Sequence, residues 1–415
     1  MRKNNYIAAI DIGTSKICTL IGQVKEYDDG ENLKKELEII GYGLAGSSGI
    51  KRGVIVDMNA AVNDIKKSVR DAEISAGYEI ESVYINISGR HIQSINAKGS
   101  VNISGKNHRI NPDDIDRAVT NGSEIMLSGD REKLHVLPQE YVVDDQEEIE
   151  NPIGMIGSIL ELYLLIITVS KASIANLLSC LKSAGLNVNK VVLSHIASGD
   201  AVLTKSEKDL GVGLIDIGKG TTDFAVFEKK AMVYSGSIGV GGFNFTNDLA
   251  IGIRTPYEQA EKIKRKYGCG IDPDLQNQNI EISSINGRKR RVISATLLSE
   301  ILRPRAEEIF EIIKDKVSRQ GLMEKINSGW VITGGSAVLK GLREIADEVF
   351  EAPVRIAEPI GVGGLIDKVN TPDFATAIGL LKYGFRDMEE GGGTTLKSRN
   401  VILRAVDFIK DIFGS

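Results

Sequence analysis

The chain has 415 residues, 42% of them hydrophobic and 26% charged, with a net charge of -5. That length supports two or three domains, each with its own core, and the acidic balance excludes a whole-protein basic field that would draw the chain to nucleic acid. Three scattered cysteines, Cys18, Cys180 and Cys269, suit a reducing compartment rather than a disulfide framework.

Four histidines, His91, His108, His135 and His195, make no zinc spacing with those cysteines. The first apolar run stops at Asp11, so no signal peptide is expected. The longest apolar run, residues 162–169, is too short to span a bilayer. The body is expected to be soluble, with any membrane contact made elsewhere.

In chain order, residues 6–10 read as a strand, 11–16 as a turn and 17–24 as a second strand. Residues 59–76 carry Ala61, Val62, Ile65, Val69 and Ala72 at helical spacing. From about 84 to 162 the texture changes: strands at 83–87 and 94–103, a helix at 111–125 opened by Asn111-Pro112-Asp113, and strands near 135–143 and 160–168. This is expected to be a compact inserted domain. Helices follow at 174–184 and 194–204. A second strand–turn–strand unit then appears, with strands at 212–215 and 224–227 around Asp216-Ile217-Gly218-Lys219-Gly220-Thr221-Thr222-Asp223. Asp11 and Asp216 stand about half the chain apart, the mark of a duplicated fold half.

Beyond this unit, helices are expected at 244–251 and 256–267, a polar segment at 272–291, a long helix at 295–320, a strand at 330–333 entering Gly334-Gly335-Ser336, and a small-residue helix at 373–383. Residues 386–400 include Gly391-Gly392-Gly393 and almost nothing apolar, so they read as a flexible linker. In residues 401–413, Val401, Ile402, Ala405, Val406, Phe408, Ile409, Ile412 and Phe413 fall on one arc of a helix. Arg404, Asp407, Lys410 and Asp411 fall on the other, with Leu403 out of pattern. Such a helix can lie in a membrane interface. The linker's reach, about 5–6 Å × √n, is roughly 20 Å, more tether than a helix docked on its own core requires.

In each turn, glycines let the backbone approach a phosphate, and N–H groups and hydroxyls can donate to its oxygens. An aspartate at the strand end can hold magnesium or its waters. Facing each other, Gly13, Thr14, Ser15 and Lys16 in one turn and Gly218, Lys219, Gly220, Thr221 and Thr222 in the other could clamp a triphosphate, while Gly334, Gly335 and Ser336 could admit an adenine ring. Read singly, each turn is an ordinary hairpin; the pair at half-chain spacing favours the clamp. Lys219 can add charge to a phosphate, point to solvent or block close approach.

The set is similar to the actin, Hsp70 and sugar-kinase superfamily. Gly49-Ile50-Lys51-Arg52-Gly53-Val54-Ile55-Val56-Asp57, Ile87-Ser88-Gly89-Arg90-His91-Ile92, Pro152-Ile153-Gly154-Met155-Ile156-Gly157 and Ile238-Gly239-Val240-Gly241-Gly242 resemble the FtsA family of actin-like division proteins, over residues 6 to 385. The resemblance implies a duplicated α/β, ribonuclease H-like, two-lobe fold with an inserted α+β subdomain and a C-terminal amphipathic helix. Its expected parts are a first-lobe core (1–83, 163–199, 372–385), the insert (84–162), a second-lobe core (200–245, 325–371), an outer subdomain (246–324), the linker (386–400) and the membrane helix (401–415).

The resemblance further implies ATP and Mg2+ between the lobes, with Asp11 and Asp216 facing the metal and positioning water. Glu258, Glu261 and Lys262 become candidates for the nucleoside, or else a solvated helix face. No base is identifiable, so at most a weak ATPase is expected. The implied partners are the FtsZ tail, further copies in a filament, later division proteins and the membrane. A basic stretch, Arg288, Arg290, Arg291, Arg303 and Arg305, would suit an acidic FtsZ tail and lacks the aromatics of a nucleic-acid patch. The competing readings are a pilus-assembly actin-like protein and a sugar kinase.

Overall fold

The strand Tyr6–Ile12 turns back through residues 13–16 into Lys16–Asp28, and Val212–Ile217 turns back through residues 218–221 into Thr222–Glu228. The two turns close alike: Gly13 N donates to Lys16 O at 3.1 Å, and Gly218 N to Thr221 O at 2.9 Å. Each hairpin gains a third antiparallel strand on one side, Leu33–Gly46 or Ala231–Ile238. On the other side it gains two parallel strands: Ser82–Ile87 and Asn187–Leu193 in the first sheet, Trp330–Thr333 and Val354–Ile356 in the second. The duplication read from the two aspartates is therefore a repeat of the whole strand pattern. This computed structural model describes residues 5–28, 33–104, 106–269, 279–283 and 290–389.

Both central hairpins are apolar for the same reason. Helices cover the sheets, so strands such as Val212–Ile217 are buried along their whole length and need continuous apolar sequence rather than alternation. One core gathers Ile10, Leu20, Ile65, Ile85, Leu181 and Leu380 around the first sheet. A second gathers Phe224, Phe245, Leu298, Phe310 and Trp330 around the other, with Trp330 stacked on Phe350 at 4.2 Å between ring centroids. The helix Met58–Ala76 starts where Asp57 accepts from Ala60 N at 3.0 Å, and stops at Gly77, whose φ of 74° few other residues tolerate.

Two small-residue helices, Ser194–Val202 and Ala375–Glu389, cross behind the sheets. Their approach depends on Gly379: a Cβ there would stand 1.7 Å from Ala197 O. The inserted unit is a four-stranded antiparallel sheet in the order Gln93–Asn102, Ile159–Ser170, Arg131–Val143, Gln146–Ile149, covered by the helix Pro112–Ser123. Asn111 and Asp114 cap that helix reciprocally. The unit also touches the second sheet's edge strand: Ser94 Oγ donates to Ser235 O at 2.8 Å, and Gln139 Nε2 to Val233 O at 3.2 Å.

Several expectations change. The strand Ser82–Ile87, grouped by sequence with the insert, belongs to the first sheet because it pairs in parallel with Tyr6–Ile12. The polar segment contains a strand, Asn279–Ser283, paired with Arg290–Ser294. Residues 386–389, read as linker, continue the helix Ala375–Glu389, because Arg386 pairs with Asp200 and Asp387 pairs with Lys190 and accepts from Tyr84 at 2.7 Å. The triple glycine and the amphipathic run with Val401, Ile402, Ala405, Val406, Phe408, Ile409, Ile412 and Phe413 lie outside the described residues.

Replacing Gly379 by Leu should lower stability by roughly 1–3 kcal/mol or more, read as a fall in the urea midpoint. Gly46→Ala, with nothing within 4 Å of the added Cβ, should leave that midpoint unchanged.

Candidate functional site

The two matched turns meet. A Cβ on Gly220 would lie 3.0 Å from Thr14 Oγ1, and Thr14 and Gly220 both line a cavity of about 620 Å³ between the sheets. The floor carries Asp11 and Asp216, one at the end of each central strand. Asn86 fixes the first: its Nδ2 donates to Asp11 Oδ1 at 2.7 Å, while its Oδ1 accepts from Ile12 N at 2.7 Å. Thr376 Oγ1, from the C-terminal helix, donates to Asp216 Oδ2 at 3.2 Å. Asp223 sits opposite Asp216 in the hairpin register.

Desolvation at the cavity floor pushes the Asp11 carboxyl up to about 7, with Asp216 and Asp373 adding to the rise and Lys16 and Asn86 opposing it. Burial pushes Asp216 up to about 6, offset in part by Thr376 and Ser198. Burial likewise takes Asp223 to about 7, with the charge of Asp216 adding to the effect. Carboxyls whose ionisation burial disfavours gain from a nearby cation. Lys16 does not fill that role alone: its amine pairs with Asp373 and lies 3.6 Å over the ring of Phe374.

The glycine turn after Trp330–Thr333 closes onto this floor. Gly334 has φ 90°, and a Cβ there would stand 2.3 Å from Asp216 Oδ1. Ser336 N donates to Ile217 O at 2.9 Å, and Gly242 N to Gly218 O at 2.9 Å. The second turn is thus gripped from two sides by backbone. Along the outer wall, Lys264 is buried and donates to Gly242 O at 3.0 Å and Thr246 Oγ1 at 2.8 Å. It also pairs with Glu261 at 2.7 Å.

Asp11, Gly13, Thr14, Ser15, Lys16, Asp216, Gly218, Lys219, Gly220, Thr221, Glu261, Gly334, Gly335 and Ser336 all line the cavity. Three candidates do not. Thr222 is fully buried and donates to Val240 O at 2.8 Å. Glu258 and Lys262 are exposed, because the inward face of the helix Tyr257–Tyr267 runs through Tyr257, Glu261, Lys264 and Arg265 and each lies about 100° round from that face. Lys219 is exposed at the cavity.

Sequence reasoning missed Asn86, Asp223, Tyr257, Lys264, Asp373 and Thr376 as lining residues. An asparagine inside the apolar strand Ser82–Ile87 and a lysine one turn after Glu261 were the available signals.

The basic stretch is less open than its sequence suggests. Arg303 pairs with Glu307 at 2.6 Å and also with Glu348, and Arg305 pairs with Asp248 at 2.6 Å and also with Glu308. Arg291 donates to Arg254 O at 3.1 Å. Arg288 and the side chain of Arg290 lie outside the described residues.

Comparisons with known proteins agree with this architecture. The family model for "Cell division protein FtsA" matches residues 213–379, and that for "SHS2 domain inserted in FTSA" matches residues 89–168. The chain is 36% identical to the cell division protein FtsA of Pseudomonas aeruginosa over 392 residues, covering 94% of this chain and 92% of that protein. It is 38% identical to that of Neisseria meningitidis (92% and 90% covered) and 33% to that of Escherichia coli K12 (91% and 90%). Among solved structures it resembles a PilM-PilN type IV pilus biogenesis complex, with TM-score 0.63 at 15% identity, covering 92% of this chain and 99% of that one. It also resembles MreB5 of Spiroplasma citri bound to ADP, with TM-score 0.55 at 15% identity and coverage of 93% and 98%. These likenesses show an actin-like fold.

Burial alone would raise Glu261, but its bonds to Lys264, Thr246 and Arg265 bring it from 4.5 down to about 2. A depressed folded value stabilises the fold above the unfolded pKa, and that contribution is lost as pH falls through the folded one. Glu261→Gln should therefore lose less urea-unfolding free energy than the parent chain between about pH 5 and pH 2; equal losses would place the acid sensitivity elsewhere.

Proposed function

The chain belongs to the FtsA family of cell-division proteins, and from that membership we propose that it binds ATP with magnesium between its lobes, polymerises on the inner membrane and ties FtsZ filaments to it. It would act at the cytoplasmic face of the division site and help recruit later division proteins. The observation that carries the nucleotide part is the cavity between two matched turns, with one strand-end aspartate from each sheet on its floor. That MreB5 was solved with ADP and with AMPPNP supports the same use of the fold here. Relatives at 33–38% identity along most of the chain favour division over the pilus or sugar-kinase readings, since the pilus likeness at 15% identity carries fold alone.

The floor fits magnesium held through water. Asp11 and Asp216 are raised by desolvation, which a divalent charge would reverse. Among the described residues, no three His, Cys, Asp or Glu side chains converge as a direct metal shell, and Mg2+ commonly keeps waters and takes phosphate oxygens. Bound there, magnesium would offset phosphate charge. Gly13, Thr14 and Ser15 would donate to one side of the phosphates, and Gly218, Gly220 and Thr221 to the other. Gly334, Gly335 and Ser336 would border the adenosine, with Glu261 and Lys264 on the ribose side. Of the two turn lysines, Lys219 is the freer cation, since Lys16 is already paired with Asp373.

The division of the chain into first-lobe core, insert, second-lobe core and outer subdomain is part of this reading, with residues 84–87 and 386–389 moved to the first-lobe core. The FtsZ tail would dock on the outer subdomain near Arg303. There an acidic tail competes with Glu307 and Glu348, so binding should be modest and salt-sensitive. The amphipathic helix at 401–415 would bind lipid mainly through apolar burial, because Arg404 and Lys410 are balanced by Asp407 and Asp411. One such helix holds weakly, and a filament multiplies it.

Lys219→Ala should weaken MgATP binding about tenfold in calorimetry, with turnover in the parent chain below about 1 per second. No affinity for adenine nucleotides in the parent chain would overturn the nucleotide part. In liposome sedimentation, the full chain should carry FtsZ filaments into the pellet. A chain ending at residue 400 should still bind FtsZ yet leave both in the supernatant, and full sedimentation of that shorter chain would overturn the tether.

A further inference from the structure

A short hairpin abuts the two turns from outside the cavity they border. Ile50–Lys51 pairs with Val54–Ile55, Ile50 opposite Ile55 and Lys51 opposite Val54, so Arg52 and Gly53 form the two-residue tip. Both have positive φ, 50° at Arg52 and 75° at Gly53. A tip of this kind ordinarily takes Asn-Gly or Gly-Gly. Arginine there carries a left-handed backbone that L side chains with a long stem disfavour.

The tip is wedged among the elements that form the cavity. Gly53 N donates to Thr14 Oγ1 at 3.3 Å, from the first turn. A Cβ on Gly220, in the second turn, would stand 3.0 Å from Arg52 Cα. A Cβ on Gly89, in the segment leading to the insert, would stand 3.1 Å from Arg52 O. The two tip residues therefore border both turns at the point where they meet, Gly53 the first and Arg52 the second. The Arg52 side chain is exposed. Neither a hydrogen bond nor an ion pair to a described residue engages its guanidinium, in contrast to Arg303 and Arg305. A solvated turn needs no arginine, and the conformation would be easier with asparagine.

We infer that Arg52 is a phosphate-binding residue that reaches the terminal phosphate of a nucleoside triphosphate held between the two turns, so that the site distinguishes triphosphate from diphosphate. The inference rests on the nucleotide reading above and extends it to a residue outside both turns. Arg52 suits the task because a guanidinium pairs with phosphate oxygens through more than one N–H. From beside the cavity it would add a third cation to Lys16 and Lys219, which line it from the two turns. The backbone contacts of Gly53 to Thr14 and of Arg52 to Gly220 would also make the hairpin tip sense whether the turns are drawn together.

The test compares Arg52→Asn and Arg52→Lys with the parent chain, titrating each with MgATP and with MgADP by calorimetry. Asparagine retains the turn, so the melting temperature should hold or rise. Affinity for MgATP should fall about tenfold while that for MgADP changes by less than about twofold, and Arg52→Lys should recover part of the loss. An unchanged ATP-to-ADP ratio in Arg52→Asn overturns the inference, as does an equal loss for both nucleotides, which would mark a displaced turn. If the parent chain binds neither nucleotide, the underlying reading falls and this inference with it.

Discussion

The structure depends on one close approach: the turn after the first central strand touches the turn after the second. Gly220 has no side chain, and the space its Cβ would need is already held by Thr14 and Arg52. Around that contact the rest of the molecule is arranged twice, since each turn is closed by the same backbone hydrogen bond and flanked by the same order of strands. The duplication places an aspartate at each strand end, and the contact brings the two to one floor. Burial at that floor raises the pKa of both, with the charge of Asp216 adding to the rise at Asp11.

Lobe coupling combines contacts at the floor with apolar packing, since the core around the first sheet also takes in Val212, Leu214, Phe227 and Val331 of the second. Thr376 reaches Asp216 from the C-terminal helix, and Gly334 N donates to Pro372 O at 3.1 Å. The inserted unit adds a second bridge. It is carried by the first lobe but bonded to the edge strand of the second, with ion pairs from Lys229 to Glu148 at 2.8 Å and from Lys230 to Glu150 at 3.1 Å. Those pairs are exposed, and pairs of that kind are worth little individually. They can yield when the lobes move, while the hydrogen bonds to Ser235 and Val233 preserve register.

Much of this was legible in the sequence, and the physical reasons for the remainder are specific. The hairpins around Asp11 and Asp216 announced themselves because buried strands leave unbroken apolar runs on either side of a glycine-rich turn. The strand Leu33–Gly46 was hidden by its alternating charged start, LKKELE, which suits an edge-facing stretch as well as a loop. Residues 386–389 looked like the start of a linker because their composition is polar. What holds them in a helix is tertiary: Asp200 for Arg386, and Tyr84 and Lys190 for Asp387. Asn86, Lys264 and Thr376 reach the site from distant sequence positions, and only the fold brings them together. Glu258 and Lys262 failed as lining residues because spacing along a helix fixes which residues share a face but not which face turns inward.

The most direct measurement of the central claim is amide hydrogen exchange at residues 13–16 and 218–221, with and without MgATP. Two turns that close on one ligand should gain protection together and at the same ligand concentration. Protection confined to one turn, or absent from both while nucleotide is demonstrably bound, would contradict the account.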